Sequence, residues 1–201
     1  MSTILETMTH ARNFLKVPST YGSTEEVRFA NTINALITNH YRWHWLATAG
    51  QDISLSLAVQ DYTMNAADQD KIAFIQDAHL NDVTLKYPRL GIEGNLVLPP
   101  TDTTGRPTSV GLISGTEVRF WPAPDGTYTF NWRYHRRGTI YAANTETWDV
   151  PGAFDGLVKT AMIWQLLAYQ DDTRQADYAN LFYKQLDDLR LGEDRTSGRI
   201  R

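Results

Sequence analysis

Two histidines four residues apart, His40 and His44, are the side chains whose types and spacing best suit chemistry. At that spacing they would lie on one face of a helix and could hold a metal ion. Zinc would need at least one further ligand, and the glutamate that stands between the histidines of a metalloprotease helix is missing from the sequence. His44 also falls on the predicted apolar stripe of its helix, which favours ordinary packing and hydrogen bonding. We therefore assign no metal ligand, and a metal-dependent enzyme is the least favoured interpretation.

Two pairs of adjacent carboxylates, Asp171–Asp172 and Asp187–Asp188, could act as acid and base. Such chemistry requires buried carboxylates whose pKa values differ. Each pair lies near a predicted helix end or on a polar face, so capping and solvation explain these residues better. The sequence also has no nucleotide-binding GxGxxG, P-loop, HExxH or GxSxG motif. We expect no catalytic residue, no cofactor and no enzymatic activity.

The composition of the 201 residues is that of an ordinary globular protein, with 42% hydrophobic and 21% charged residues. The chain has no cysteine, which excludes disulfides, thiolate metal sites and cysteine nucleophiles. The formal net charge of −4 argues against a dedicated nucleic-acid binder. No apolar stretch approaches the roughly 18 residues that span a bilayer, and the first residues lack a signal-peptide pattern. We expect a soluble protein without membrane contact.

Helical periodicity flanks a middle part in which apolar residues alternate as in strands. The predicted helices lie near residues 2–16, 23–47, 151–170 and 172–190. Ser23 and Glu26 predict a capping box at the start of the second helix. Asp171 or Asp172 is the predicted cap of the fourth helix, and Gly192 its predicted end.

These elements predict an α+β fold, in which a four-helix bundle-like part carries a β-rich insertion between helices two and three. The apolar stripes of the first and last thirds of the chain need each other as partners. The predicted domains are the helical bundle (1–50 and 150–190), the β-rich insertion (51–149) and an extended C-terminal tail (191–201).

The segment WPAPDGTYTFNWRYHRR, residues 121–137, combines a turn signal with alternating aromatic residues. Pro124, Asp125 and Gly126 predict a tight hairpin turn. The resulting register places Phe120 opposite Phe130, Val118 opposite Trp132, Glu117 opposite Arg133 and Arg119 opposite Asn131. Alternating aromatics are typical of any strand over a core, so we favour a half-buried hairpin. The alternative is an exposed platform on which bases or sugars stack.

Two stretches together resemble a known family. GTEVRFWPAPDGTYTFNWRYHRR resembles the proline-bracketed hairpin of tailed-bacteriophage head-to-tail adaptor (connector) proteins. VPGAFDGLVKTAMIWQLLAYQDDTRQADYANLFYKQLDDL is similar to the helical pair that follows that hairpin in the family. The resemblance implies a structural virion protein that is assembled in the host cytoplasm and lies at the head–tail interface. It implies a dodecameric ring that joins the portal to tail, nozzle or tail-fibre proteins and extends the channel through which DNA passes without specific contacts.

Several residues are candidates for contacts in such an assembly. The candidates for subunit or partner interfaces are Trp43, Trp45, Trp164, Arg136 and Arg137. The candidates for docking on the portal are the tail residues Arg195, Arg199, Ile200 and Arg201. Contact of the tail arginines with phosphate is about equally compatible with the sequence. The alternative function is a carbohydrate-binding, receptor-binding or other tail-associated module that uses the β-rich insertion.

Overall fold

The computed structural model describes residues 2–17, 22–81, 91–92 and 103–196. Within these residues the α-helices are α1 (Ile4–Leu15), α2 (Ser23–His40), α3 (Asp155–Tyr169) and α4 (Gln175–Thr196). The strands are β1 (Ala47–Ala49), β2 (Ile53–Leu55), β3 (Asp61–Thr63), β4 (Ile72–Asn81), β5 (Gly91–Ile92), β6 (Thr104–Gly105), β7 (Ser109–Leu112), β8 (Glu117–Trp121), β9 (Ala123–Pro124) and β10 (Tyr128–Arg136). Short 3-10 helices cover His44–Leu46 and Gly152–Phe154.

The chain forms two compact units. The helical unit comprises Met1–Trp45 and Gly138–Arg201, and the β unit comprises Leu46–Arg137. No helix in the described part of the chain is long and apolar enough to cross a membrane.

α3 is the central helix of the helical unit, where it packs against α1, α2 and α4. Its apolar residues are buried on every side of the helix, namely Leu157, Val158, Ala161, Met162, Ile163, Leu166 and Leu167. A helix that is apolar all round is enclosed by neighbours, whereas a bundle helix contributes one stripe to a shared core. The predicted α+β fold, a four-helix bundle with a β-rich insertion, is therefore wrong. The helices lie at the two ends of the chain, and the several, mainly antiparallel sheets between them form a compact unit of their own.

A capping box starts α1, where the sequence analysis had not placed one. The backbone N–H of Glu6 donates to Thr3 Oγ1 at 3.1 Å, and the backbone N–H of Thr3 donates to Glu6 Oε2 at 2.7 Å. The same threonine bridges to Thr147, and the Trp148 indole N–H donates to Thr7 Oγ1 at 2.9 Å. These contacts fix the first turn of α1 against the segment that leads into α3.

α2 starts without the predicted capping box. Gly22 is the N-cap residue, no side chain caps the helix, and Ser23 is already helical. Glu26 is buried, with 3% of its surface exposed, and its carboxylate accepts hydrogen bonds from Arg12 and, at 2.6 Å, from Asn144 Nδ2. The prediction is wrong because this glutamate serves a tertiary ion pair instead of its own helix terminus.

α2 also ends earlier than the predicted helix of residues 23–47, since its last residue is His40. Trp43 accounts for the early end. Its indole N–H donates to the Ile37 carbonyl at 2.6 Å, which satisfies one of the last carbonyls of the helix as the chain turns back. The Trp43 ring then packs edge to face on Phe154, with the ring centroids 5.1 Å apart.

α4 starts later and ends later than predicted. In the link before it, Asp172 Oδ1 accepts a hydrogen bond from the backbone N–H of Arg174 at 2.9 Å. The helix then continues through Gly192 to Thr196, so the prediction that Gly192 ends it is wrong. A single glycine costs a helix only about 1 kcal/mol, which the rest of a 22-residue helix tolerates.

The β unit is built from two four-stranded sheets around a shared core. β10 is the centre of the first sheet, with β1 and β2 on one edge and β4 on the other, all antiparallel. The second sheet has the order β3-β8-β7-β5, and β6 and β9 form a separate short pair. Apolar side chains of both four-stranded sheets make one core cluster, namely Ile53, Leu55, Met64, Ile72, Ile75, Ala78, Leu80, Val110, Leu112, Val118, Phe120, Phe130, Trp132 and Tyr134.

The hairpin that the sequence predicted between β8 and β10 does not exist, because the two strands belong to different sheets. The predicted pairs Phe120–Phe130, Val118–Trp132, Glu117–Arg133 and Arg119–Asn131 are wrong as strand partners. In the actual register Glu117 is opposite Thr63, Arg119 is opposite Asp61, and Arg133 is opposite both Ala49 and Asp77.

The prolines between β8 and β10 explain why the chain passes from one sheet to the other. Pro122 and Pro124 have no backbone N–H, so they cannot donate to an antiparallel ladder. Ala123 and Pro124 pair with β6 instead, and Asp125 and Gly126 follow before β10 starts in the other sheet. The turn residues therefore connect two layers of the unit.

Candidate interaction surfaces

Trp43 is a core residue. It is fully buried, and its indole N–H and ring both have partners within the helical unit. The prediction that it anchors a subunit or partner interface is wrong, because it has no exposed surface to offer. Trp45 is half-buried, and its ring lies edge to face with Phe154 at 6.0 Å between centroids.

Trp164 lies on α3 where α4 crosses it. Its ring centroid is 5.5 Å from that of Phe182 and 5.9 Å from that of Tyr183. Phe182 is buried, whereas 41% of Tyr183 is exposed and Trp164 itself is half-buried. Of the three tryptophans proposed for interfaces, Trp164 thus belongs to an aromatic surface, shared with Tyr183, that a partner could contact.

Arg136 and Arg137 lie at the end of β10. Arg136 is half-buried and is opposite Ile72 of β4. Arg137 is exposed, its backbone N–H donates to the Lys71 carbonyl at 2.6 Å, and its Nε donates to the Ile72 carbonyl at 3.1 Å. The second contact fixes the guanidinium at the edge of the β unit.

A group of exposed apolar residues was missed by the sequence analysis. We call it the apolar knob: Leu57, Val59 and Trp121, which are 64%, 42% and 37% exposed. In ISLSLAV, residues 53–59, the apolar residues Ile53, Leu55, Leu57 and Val59 alternate as on one face of a strand, but β2 ends at Leu55. No sequence signal marks this turn, because Ala58, with a φ of 59°, stands where glycine would be expected.

The C-terminal candidates lie at or beyond the end of the described chain. Arg195 is in the last turn of α4. Arg199, Ile200 and Arg201 lie outside the described residues.

A sequence comparison identifies the family. The model of the family described as SU10 adaptor protein matches residues 2–201. The chain belongs to this family. The match covers both units and confirms the resemblance to phage head-to-tail adaptors. No curated protein matches the chain.

The family assigns the adaptor a structural role in a phage, which places it in the virion. The structure gives no support to the metal-site alternative based on His40 and His44. α2 ends at His40 and a 3-10 helix starts at His44, so the two do not share one helix face. His40 Nε2 instead lies 3.3 Å from Asp187 Oδ1. Among the described residues no group of three or more histidine, aspartate or glutamate side chains is placed to hold a metal ion.

One residue of each carboxylate pair, Asp172 and Asp187, is engaged in a surface ion pair. The Arg174 guanidinium and backbone N–H hold the pKa of Asp172 down at about 2. Asp187 contacts His40 and, at 3.6 Å, Arg190 Nε. A carboxylate with so low a pKa is ionised at neutral pH and cannot act there as a general acid.

The aromatic face of β10 is not a stacking platform. Phe130, Trp132 and Tyr134 are 0%, 4% and 2% exposed and belong to the core of the β unit. The Tyr134 hydroxyl donates to the buried carboxylate of Asp68 at 2.9 Å, and burial together with this bond raises its pKa to about 12. These rings stabilise the unit, so they present no surface on which sugars or bases could stack.

Proposed function

We propose that the chain is a ring-forming head-to-tail adaptor that joins the portal to the tail and extends the DNA channel. The observation that carries this proposal is the family match over residues 2–201. In the proposal the ring is a dodecamer, its partners are the portal and tail, nozzle or tail-fibre proteins, and it is completed at the head–tail interface after assembly in the host cytoplasm.

The surface of the helical unit supports assembly into a larger structure. Its exposed large apolar residues are Leu5, Phe14, Ile140, Tyr169, Leu181, Tyr183 and Leu191. A closed ring needs two different faces of each subunit. Phe14 packs on Tyr178 at 6.3 Å, near Leu181, whereas Tyr183, which contacts Trp164 of α3, lies on another flank of α4. The adaptor therefore has two distinct apolar patches that neighbouring copies could cover.

The C-terminal residues suit a contact with the portal. We propose that Arg195, Arg199, Ile200 and Arg201 dock there, because α4 extends as a 22-residue helix to the start of this basic segment. A basic segment that orders on a partner offsets its lost entropy with new contacts.

The charge of the adaptor suits a channel through which DNA passes. Contacts between basic residues and phosphates raise affinity for DNA steeply. A formal net charge of −4 disfavours such contacts. We propose that the ring lets DNA through without holding it.

Co-sedimentation with purified portal assemblies tests the proposal. We expect the full-length chain to sediment with the portal and to appear as a ring in negative stain. A version that ends at Thr196 should bind at least tenfold more weakly. A charge-matched control neutralises two exposed cations elsewhere, Arg28→Gln with Lys184→Gln, and should bind like the wild type.

Two results would count against the proposal. If the full-length chain does not sediment with the portal, the adaptor role at this position is wrong. Equal binding by the full-length and shortened chains would remove Arg199, Ile200 and Arg201 from the portal contact.

A further inference from the structure

The apolar knob is held in a preformed shape. Val59 N–H donates to the Ser56 carbonyl at 3.2 Å, which closes a turn around Leu57 and Ala58. The Tyr62 hydroxyl braces Ser56 twice, accepting from its N–H at 2.7 Å and donating to its carbonyl at 3.1 Å. These bonds hold the turn in which Leu57 is exposed.

The turn also carries backbone strain. Ala58 adopts a φ of 59°, a left-handed conformation that a residue with a Cβ rarely adopts. Its N–H donates to the Pro124 carbonyl at 2.7 Å, which stabilises this conformation. Strain that the surrounding structure holds in place is a feature of contact and ligand sites. The knob is therefore a preformed apolar surface at an exposed turn. Asp125, which is exposed and accepts a hydrogen bond from the Tyr128 hydroxyl at 2.6 Å, lies next to Pro124.

A cleft of about 240 Å³ lies elsewhere on the same unit. Its lining residues are Ile72, Leu112, Ile113, Ser114, Gly115 and Arg137. Ile72 and Leu112 are buried apolar residues of this lining, whereas Ser114 and Arg137 are exposed. Because Arg137 Nε is bound to the Ile72 carbonyl, the cation is fixed beside Ile72.

The knob and the cleft lie at opposite ends of the same pair of strands. In the β7–β8 register Trp121 is opposite Ser109, and Val118 is opposite Leu112. The knob adjoins the Trp121 end, and the cleft adjoins the turn that follows Leu112. The two ends of β8, Glu117 and Trp121, are four residue steps apart, a distance of about 14 Å. The two surfaces therefore face different neighbours, as a head-to-tail contact between copies requires.

We propose that the knob of one copy inserts into the cleft of a second copy, with Leu57 against Ile72 and Leu112. One surface is an exposed turn and the other is a cleft, and apolar residues lie in both: Leu57 in the knob, and Ile72, Leu112 and Ile113 in the cleft. They are also complementary in charge, since Asp125 lies beside the knob and Arg137 at the edge of the cleft. This contact rests on the proposed ring and names the surfaces of the β unit that close it.

Cysteine cross-linking tests the contact directly, because the native chain has no cysteine. Leu57→Cys and Ser114→Cys both replace exposed residues. On portal assemblies, a short bis-maleimide should link the double variant into a ladder of covalent oligomers. A mixture of the two single variants should stop at covalent dimers, because each copy then carries half of the contact. A matched control pairs Leu57→Cys with Thr173→Cys, an exposed residue of the α3–α4 link, and should give at least tenfold less product.

The outcomes separate this contact from the proposed function. Rings that form on the portal without a link between positions 57 and 114 overturn the contact and leave the adaptor role intact. Cross-linking of the Leu57→Cys single variant to itself also overturns it, because that result shows a two-fold symmetric contact. If no ring forms at all, both the contact and the proposed function fail.

Discussion

Phe120 and Phe130 meet edge to face with their ring centroids 4.8 Å apart, although they lie on strands of different sheets. Both side chains are fully buried. Phe130 also stacks on Trp132 at 5.7 Å, and Phe120 packs on Tyr62 at 5.6 Å. The pair therefore joins the two sheets of the β unit at the centre of its core.

Removal of the Phe120 ring should destabilise the protein strongly. Phe120→Ala leaves a cavity between two sheets, and such a change costs about 3–5 kcal/mol in the free energy of unfolding. Leu57→Ala is the matched control, because 64% of Leu57 is exposed. It should change the free energy by less than about 0.5 kcal/mol. Urea unfolding of both variants checks this, and similar losses for the two would contradict the assignment of Phe120 to the core.

The alternation of the sequence predicted the inward face of β8 and β10 correctly, but it did not predict their partners. Val118, Phe120, Phe130, Trp132 and Tyr134 all point into one core. Alternation reports which side chains share a face, and it is equally consistent with two strands of one hairpin and with strands of two facing sheets. Which strands pair with β8 and β10 is determined by the prolines of the connection and by β3, β4 and β7 as the available partner strands.

The interaction surfaces were harder to predict for the same reason. Tryptophan is a residue type that is common at the centre of interfaces, but Trp43 is buried by a contact with Phe154, which is more than a hundred residues away in sequence. Leu57 continues an alternating pattern, but a turn at Ala58 exposes it. Exposure depends on tertiary contacts, and sequence patterns report only local periodicity.

Substitutions at Arg12 and Glu26 should have coupled effects on the free energy of unfolding, because the two side chains form an ion pair. Only 13% of the arginine side chain and 3% of the glutamate side chain are exposed. Arg12→Met leaves a buried carboxylate without its cation, a change that costs about 3–5 kcal/mol. Adding Glu26→Gln removes the orphaned charge and should recover most of the loss. Lys16→Met, at an exposed cation, is the control and should have little effect. Additive losses in the double-mutant cycle would show that the pair does not couple.

Deprotonation of the Tyr134 hydroxyl should destabilise the folded protein at alkaline pH. Its pKa is raised from 10.0 to about 12 in the folded state, so folding favours the protonated hydroxyl. This contribution is fully present below pH 10 and is lost as the pH rises through about 12, with a size on the order of 2 kcal/mol. The difference in unfolding free energy between the wild type and Tyr134→Phe should therefore shrink over that range. A constant difference from about pH 9 to pH 12 would contradict the prediction.

Two glycines should respond to alanine in opposite directions. A Cβ at Gly50 would lie 2.1 Å from Cε2 of the Trp132 indole, whose Nε1 donates to the Gln51 carbonyl at 2.9 Å. The ring is held by that bond and by the surrounding core, so Gly50→Ala should cost about 1–3 kcal/mol. A Cβ at Gly156, in the first turn of α3, would meet nothing within 4 Å. Gly156→Ala should therefore raise stability by about 0.5 kcal/mol, because alanine loses less backbone entropy in a helix. Thermal unfolding should show a lower Tm for the first variant and a slightly higher Tm for the second. A Gly50→Ala protein with an unchanged Tm would mean that the indole does not pack against this backbone.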